Sequence, residues 1–557
     1  MDNRSWYPLA LLPLLLLLCL GSIHTGSAAS VTTGTPDGSE LWGYVEVRLK
    51  AHLFWWYYKS PQRTSTPGKP WPTVLWLEGG PGTSGVGLGN FLEVGPLDVN
   101  LKPRNSTWLQ KADLIFVDNP VGVGYSYVED DSLLVTTDWQ QAADATMLLK
   151  ALVKEVPTLQ GSPLFLVAES YGGKYAATLG ASVARAIRTG DLKITLGGVA
   201  LGDSWISPED FTLAYALLLL SVSRLDDNAG DDAKKTLWGR GLSSEQRRGQ
   251  PLLASATSLW SPRTRAEEHG RDEPQFATAA QGRGESGEQA AGTESMPRVA
   301  VATEQADAVK AQIAAGQWAT AQGSWNDLLN FVGSKSGDVD VYNFMLDSGM
   351  DLVSTDSTTG SSSTSLQAMK YSSYLGGQDS GSNTIDGIMN GVVKQKLKII
   401  PKDIKWQEMS QAVYNALVND FMKPRIDEAS PQIDELLTYG VNVTVYNGQL
   451  DVICSTVGAE AWVQKLKWNG LKSFLSLPRQ PLYCGTSKGT KAFVRSYKNL
   501  HFYWILGAGH FVPADQPCIA LSMISSITQS PAKTSCILGE GMELVIKRSD
   551  VLGEGDI

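Results

Sequence analysis

Leu164-Phe165-Leu166-Val167-Ala168-Glu169-Ser170-Tyr171-Gly172-Gly173 decides how this chain folds. Its apolar run reads as a buried strand, and the run stops at a serine. From Lys174 to Ile187 a helical pattern follows at once. A strand that turns straight into a helix around one serine holds that hydroxyl clear of the backbone on a strained turn. Strand and helix pass close there, so small residues are needed two places before and two after. Ala168 and Gly172 fill those places, which leaves the usual G-x-S-x-G pattern without its first glycine. On this stretch alone, an ordinary strand-to-helix turn explains the residues as well as a nucleophile does.

The order of the remaining candidates separates the two readings. An α/β-hydrolase places its acid and then its histidine after the serine. Of the five histidines, His24 falls in a leader and His52 precedes the serine. His269 lies in a low-complexity stretch, and His501 is explained as a polar residue at the start of an aromatic strand. That leaves His510, in Phe502-Tyr503-Trp504-Ile505-Leu506-Gly507-Ala508-Gly509-His510-Phe511-Val512-Pro513. An apolar strand there runs into a glycine loop that delivers one imidazole and stops at proline. Upstream, Val441-Asn442-Val443-Thr444-Val445-Tyr446-Asn447-Gly448-Gln449-Leu450-Asp451 alternates, turns at Asn-Gly and presents a carboxylate. A lone Asp after a turn is usually only a turn residue. In this order Asp451 becomes the group that fixes the tautomer of His510, while His510 takes the proton of Ser170.

Acyl transfer also needs donors aimed at the developing oxyanion. Thr73-Val74-Leu75-Trp76-Leu77-Glu78-Gly79-Gly80-Pro81-Gly82 is a strand breaking into a glycine loop, the place for one such N–H. The other belongs to Tyr171, next after the serine. Gly85-Val86-Gly87-Leu88-Gly89 lacks both the Lys-Ser/Thr ending and the GxGxxG spacing, so nucleotide binding is rejected. The chemistry calls for no metal and no cofactor. The fold class expected is α/β: an α/β-hydrolase with a central, mostly parallel sheet flanked by helices and an inserted helical cap.

As a set these residues resemble the serine carboxypeptidase family. The blocks that carry the resemblance are Trp76-Leu77-Glu78-Gly79-Gly80-Pro81-Gly82, Val117 to Tyr127, Glu169-Ser170-Tyr171-Gly172-Gly173 and Gly507-Ala508-Gly509-His510. Gly202-Asp203-Ser204-Trp205-Ile206-Ser207-Pro208 and Asp451-Val452-Ile453-Cys454 extend it. It spans residues 40 to 227 and 305 to 530, and is strongest toward the branch with the retinoid-inducible enzyme and its plant relatives. The resemblance implies a Ser170, Asp451, His510 triad with Gly80 and Tyr171 as oxyanion amides. It implies peptide substrates held by the free C-terminal carboxylate, with Glu93 and Glu169 matching the two glutamates that recognise it. In the neighbouring W-L-N-G-G-P block, Gly79 is retained but the Asn position is Glu78.

That departure has a chemical consequence. Ionised carboxyls would repel a substrate carboxylate, whereas clustered acids raise one another's pKa and share protons. Peptidase activity is therefore expected to need acidic pH, with Glu78 or Glu169 protonated and donating. The alternative is that Glu78 weakens or abolishes the activity. An acyltransferase of the same fold, or a non-catalytic scaffold, also stays open. Glu169 and Gly172, where the acyltransferases tend to carry Asp and Ser, favour the peptidase, and the intact triad set disfavours a scaffold.

The chain has 557 residues and a formal charge of −10. Its pI near 5.2 argues against nucleic-acid binding. Arg4, the apolar run Leu9 to Leu20 and Gly26-Ser27-Ala28-Ala29-Ser30 read as a signal peptide over residues 1–29, too short to span. The secretory pathway is expected, ending outside the cell or in a vacuole or lysosome, with no membrane contact after removal. A homodimer is left open. Without Cys19 four cysteines remain, Cys454, Cys484, Cys518 and Cys536, and three pairings. Cys454, three residues past Asp451, is as well read as a free thiol lining the site. Thr83 stands where the family usually has a cysteine after G-G-P-G, so one common family disulfide is absent. Asn105 and Asn442 head glycosylation sequons; the second depends on its strand lying at an exposed edge.

Residues 30–209 are read as the first part of the core, 210–425 as a cap and 426–557 as the second part of the core. Ala306 to Ala315 and Trp406 to Phe421 read as cap helices, and Leu213 to Val222 as a core helix. The Ser/Thr-rich stretch Ser354 to Ser365 reads as a mobile loop. From Gly230 to about Ala302 the composition shifts to Arg, Gly, Ala, Ser, Glu and Gln with no apolar period. Three readings compete for it: a disordered loop, an excised linker cut at sites such as Arg247-Arg248, or translated non-coding sequence.

Overall fold

Apolar runs that looked continuous in the sequence are strands buried on both faces. The structure, a computed structural model, describes residues 30–64, 68–226, 298–348, 384–427, 431–485 and 489–532. The leader, residues 227–297, Ser354 to Ser365 and Cys536 lie outside the described residues.

Twelve strands form one sheet. They are β1 (Ser30–Gly34), β2 (Glu40–Arg48), β3 (Ala51–Tyr58), β4 (Thr73–Leu77), β5 (Asp113–Val117), β6 (Tyr127–Val128), β7 (Pro163–Glu169), β8 (Thr195–Gly202), β9 (Asn442–Gly448), β10 (Gln480–Leu482), β11 (Ala492–Tyr497) and β12 (Leu500–Ile505). The order is β1-β2-β3-β5-β4-β7-β8-β9-β12-β11-β10, with β6 paired to β3. From β5 through β12 the neighbours run parallel, and both flanks are antiparallel.

Side chains alternate between two cores, as a period of two requires. In β7, Leu164, Leu166 and Ala168 face one core, and Phe165 and Val167 face the other. The first core is covered by α1 (Asp138–Glu155), α2 (Gly172–Thr189), α3 (Pro208–Ser221), α4 (Arg298–Ala314) and α5 (Trp318–Lys335). The second lies under the helical stretch Gly85–Val94 and α6 (Pro517–Ile527). A disulfide joins Cys484 to Cys518, 34 residues apart, tying the edge hairpin to α6. Closing a loop of that length stabilises by about 3–4 kcal/mol in the chain-entropy picture. Cys454 is free and buried.

Two expectations need correction. Helix α4 begins at Arg298, so the compositional boundary near Ala302 falls inside a helix whose Val299 and Ala302 are buried. Trp406 to Phe421 is not one helix but an extended stretch followed by Gln411–Ala416 and Val418–Phe421. The extended part pairs with the glycine loop: Ser84 N–H donates to Glu408 O at 2.9 Å and Ser410 N–H to Gly82 O at 2.8 Å. The Trp406 indole donates to Ser84 Oγ at 2.9 Å, a tertiary contact that outweighs helix propensity.

Candidate active site

Glu78, the candidate nucleophile, the acid and the histidine each sit just past the C-terminal end of a parallel strand, where open α/β sheets place their sites; Glu169 ends β7, and Glu93 lies in the helical stretch Gly85–Val94. Glu78 and Gly79 follow β4, Ser170 follows β7, Asp451 lies three residues past β9, and His510 five past β12. The strand order β4-β7-β8-β9-β12 therefore lays the nucleophile, the acid and the histidine side by side.

Ser170 has φ 58°, in the left-handed region that costs a non-glycine residue about 1–3 kcal/mol. Three hydrogen bonds of 3.0 Å hold it there: its N–H donates to Gly202 O, and its carbonyl accepts from Gly173 N–H and Trp205 N–H. A Cβ at Gly172 would lie 2.3 Å from Leu77 O, so only glycine fits two places after the serine. At Gly79 a Cβ would meet Ser170 Cβ at 2.6 Å, which sets how closely the β4 loop approaches the turn.

His510 is 1% exposed and Asp451 0%. The His510 ring Nδ1 lies 2.8 Å from Asp451 Oδ2, while Asp451 Oδ1 accepts from Cys454 N–H at 3.3 Å. Nε2 of His510 takes no partner within the described residues. The histidine loop is fixed from two sides: His510 N–H donates to Tyr342 O at 2.8 Å and Gly509 N–H to Asp515 Oδ2 at 2.8 Å. Ser170, Tyr171, Gly79, Gly80, Glu78, Glu169, Cys454 and His510 line one cavity of about 660 Å³, together with Trp325, Tyr342 and Tyr414.

Glu78, Glu93 and Glu169 converge beside this turn with carboxylate oxygens within 4.8 Å of one another, all buried. Burial pushes Glu78 up to about 7, against hydrogen bonds from the Trp76 indole (2.9 Å) and the Gly79 N–H (3.4 Å). Glu169 is raised well above the ordinary carboxyl value, by burial first and then by Glu93 and Glu78. Among the described residues no N–H or hydroxyl reaches either Glu169 oxygen, and its partner is the Glu93 carboxyl. Two acids in such contact share a proton. Glu408, on the extended cap stretch, also lines the cavity; burial and its acidic neighbours Asp386 and Glu78 raise it to about 8. Among the described residues two donor groups have cation-site spacing, this trio and Asp451/Cys454/His510. Neither suits a metal well. The trio holds protons, and burial keeps the Cys454 thiol protonated.

A serine carboxypeptidase family model matches residues 31–530. The chain belongs to the serine carboxypeptidase family. It is 49% identical to serine carboxypeptidase-like 51 of Arabidopsis thaliana over 93% of this chain and 98% of that one. Retinoid-inducible serine carboxypeptidase of Mus musculus is 38% identical, over 93% and 97%. Among solved structures, the prohormone-processing carboxypeptidase Kex1(delta)p of Saccharomyces cerevisiae superposes with TM-score 0.59 at 20% identity, over 89% of this chain and 93% of that one. That likeness supports the α/β-hydrolase fold.

For a serine carboxypeptidase, then, the structure brings together all the residues singled out in the sequence around Ser170. It adds Asp203, Tyr342 and Glu408, which sequence reasoning passed over. Of the sequon residues, Asn105 is exposed in a turn. Asn442 is not at a sheet edge: β9 lies between β8 and β12, and the Asn442 amide donates to Gly197 O at 3.0 Å. Among the described residues no helix is long and apolar enough to cross a membrane.

Proposed function

We propose that this serine carboxypeptidase removes C-terminal residues from peptides at acidic pH, with Ser170, His510 and Asp451 as its catalytic triad. The observation that carries the reading is the 2.8 Å His510–Asp451 contact, with Nε2 left free at the cavity that Ser170 lines. Asp451 fixes the tautomer, so Nε2 accepts the Ser170 proton as Oγ attacks the scissile carbonyl. The N–H groups of Gly80 and Tyr171 receive the oxyanion. His510 then returns the proton to the departing amine, and water repeats the cycle on the acyl-enzyme.

Substrate selection follows from the glutamates. A peptide carboxylate entering beside Gly79 meets Glu78 and the Glu169–Glu93 pair. Protonated Glu78 and Glu169 donate to it, as an amide would. As pH rises through about 7, Glu78 loses its proton and repels the substrate instead. An enzyme with this limb belongs in an acidic or extracellular compartment of the secretory pathway, with Asn105 as its glycan site.

The test is release of amino acids from blocked dipeptides from about pH 4 to about pH 8, with Ser170→Ala as control. Acid-optimal, Ser170-dependent release is expected. Fluorophosphonate labelling of Ser170 without release would indicate ester or acyl-transfer chemistry, and no labelling at any pH would sink the enzymatic reading.

A further inference from the structure

Beside the triad lies a buried acid to which that reading gives no task. Asp203, the first residue past β8, is 0% exposed and has φ 38°. A loop residue ordinarily reaches water; this one is held inside by its backbone and its side chain. Its N–H donates to Tyr446 O at 2.9 Å. Its Oδ1 accepts from Gly448 N–H at 2.8 Å and from the Asn447 amide at 3.4 Å. Both donors belong to the end of β9, from which Asp451 hangs. Among the described residues no N–H or hydroxyl reaches Oδ2, and the group within hydrogen-bonding reach is the Asp451 carboxyl.

Two ionised carboxylates cannot make that contact; one of them must hold a proton. The geometry says which. Asp451 already meets a His510 nitrogen and the Cys454 N–H, one at each oxygen, as an ionised carboxylate does. Asp203 has its donors on Oδ1 alone. Burial, and then Asp451 itself, favour the protonated form of Asp203. The segment also touches the nucleophile: Gly202 O accepts from Ser170 N–H and Trp205 N–H donates to Ser170 O, each at 3.0 Å. Residues 202–205 thus clamp the serine turn on one side and the acid on the other.

We propose that Asp203 is a positioning residue that works as a neutral acid, donating its proton's hydrogen bond to Asp451 and so holding the Asp451–His510 pair in register with Ser170. The inference rests on the triad reading. It makes Asp203 equivalent to a permanently neutral amide, with one difference: its proton can be lost. The titratable groups that face it are Asp451, Asp515, the Cys454 thiol, the Tyr446 hydroxyl and, across the serine turn, Glu169. None is a cation, so deprotonation of Asp203 sets two carboxylates against each other behind the histidine.

Three variants test it in the full-length enzyme, with kcat and KM measured on a blocked dipeptide across pH. Asp203→Ala should lower kcat by about tenfold to a hundredfold with KM nearly unchanged. Asp203→Asn should restore kcat to within about threefold of the parent and move the alkaline limb of kcat upward, because an amide cannot lose the proton. Ser170→Ala should be inactive; if it is not, the triad reading fails and the Asp203 result has no bearing. With Ser170→Ala inactive, an Asp203→Asn enzyme as impaired as Asp203→Ala would overturn the proposal, since it would mean that a charge is needed there. Infrared difference spectra guard against a folding artefact. The parent at neutral pH should show buried carboxylic-acid C=O absorption that includes Glu169 and Glu408, one component of which is missing from Asp203→Asn, and persistence of the full intensity would also overturn it.

Discussion

Two clusters of carboxyls flank Ser170, equally dry and made of the same chemical group, yet they hold charge differently. On the β9 and β12 side, Asp451 faces an imidazole at 2.8 Å and a backbone N–H. On the β4 and β7 side, Glu169 faces Glu93 and Glu78, and burial with mutual repulsion drives its proton affinity up. Burial is common to both, so burial does not decide which acid is ionised; the opposing group does. A third site in the same molecule extends the series. Asp420 is buried too, and burial would raise it, but Arg425 and Lys174 hold it down at about 2. Arg425 reaches Asp138 and also Asp420 at 2.9 Å, joining the cap end to α1. On the proposed reading, one site keeps a charge for catalysis, one stores protons for a substrate carboxylate, and one keeps a charge for structure.

The largest effect should come from removing the ionised acid of the pair. Asp451→Asn keeps the shape but reverses the tautomer of His510, and kcat should fall by about ten-thousandfold with little change in KM. Steady-state kinetics on a blocked dipeptide reads this directly. A loss below about tenfold would mean that the two flanking clusters do not differ in the way described. Next in size is the structural site. Arg425→Met removes the cation that Asp138 and Asp420 share, leaving Lys423 at 2.8 Å from Asp420 and Lys174 at 4.0 Å from Asp138, and should cost up to about 3–5 kcal/mol. Thermal and denaturant unfolding measure it. Because Asp420 stays ionised down to about pH 2, this contribution is present above the unfolded carboxylate range near pH 4 and is lost only as pH falls through about 2. The loss of stability in the variant should therefore persist across the acidic range in which the enzyme is proposed to work.

A smaller effect separates binding from chemistry. Glu169→Ala should raise KM for peptides by about tenfold to a hundredfold, the worth of a hydrogen bond to a charged group. An ester substrate without a free carboxylate should be hydrolysed as before. Equal losses on both substrates would show that Glu169 supports the serine turn rather than the substrate.

Much of this site was legible in the sequence, for a physical reason. The turn at Ser170, the loop at His510 and the alternation before Asp451 are local signals, each made of a strand and its punctuation. The parallel fold followed from apolar runs with both faces buried, as in β7. What was not legible depends on distant partners. That Glu78, Glu93 and Glu169 cluster was expected only from the family resemblance, because it requires β4 beside β7 with Gly85–Val94 folded over them, which no spacing encodes. Trp406 to Ser410 has a helical composition, but its hydrogen bonds go to the loop at 82–84. Asn442 reads correctly as a strand residue, yet alternation says nothing of where a strand lies in the sheet. Asp203 lay in a block noted only for its resemblance, and its meaning appears once β9 is placed alongside.

The finest distinction concerns Glu78, the residue that departs from the family's Asn. If its carboxyl imitates an amide only while protonated, the imitation has a limit set by its pKa of about 7. Below that value Glu78 donates to the substrate carboxylate; above it, a charge must be neutralised before the peptide binds. KM of the parent should then rise by about tenfold for each pH unit above 7, while kcat changes less. Glu78→Asn substitutes a donor that does not titrate. At pH 5 its KM should match the parent's to within about twofold, and at pH 8 it should be several-fold lower. The sign matters more than the size. A variant that binds peptides worse than the parent at pH 8 would mean that the ionised Glu78 is useful there, and the two flanking clusters would then both be charged sites.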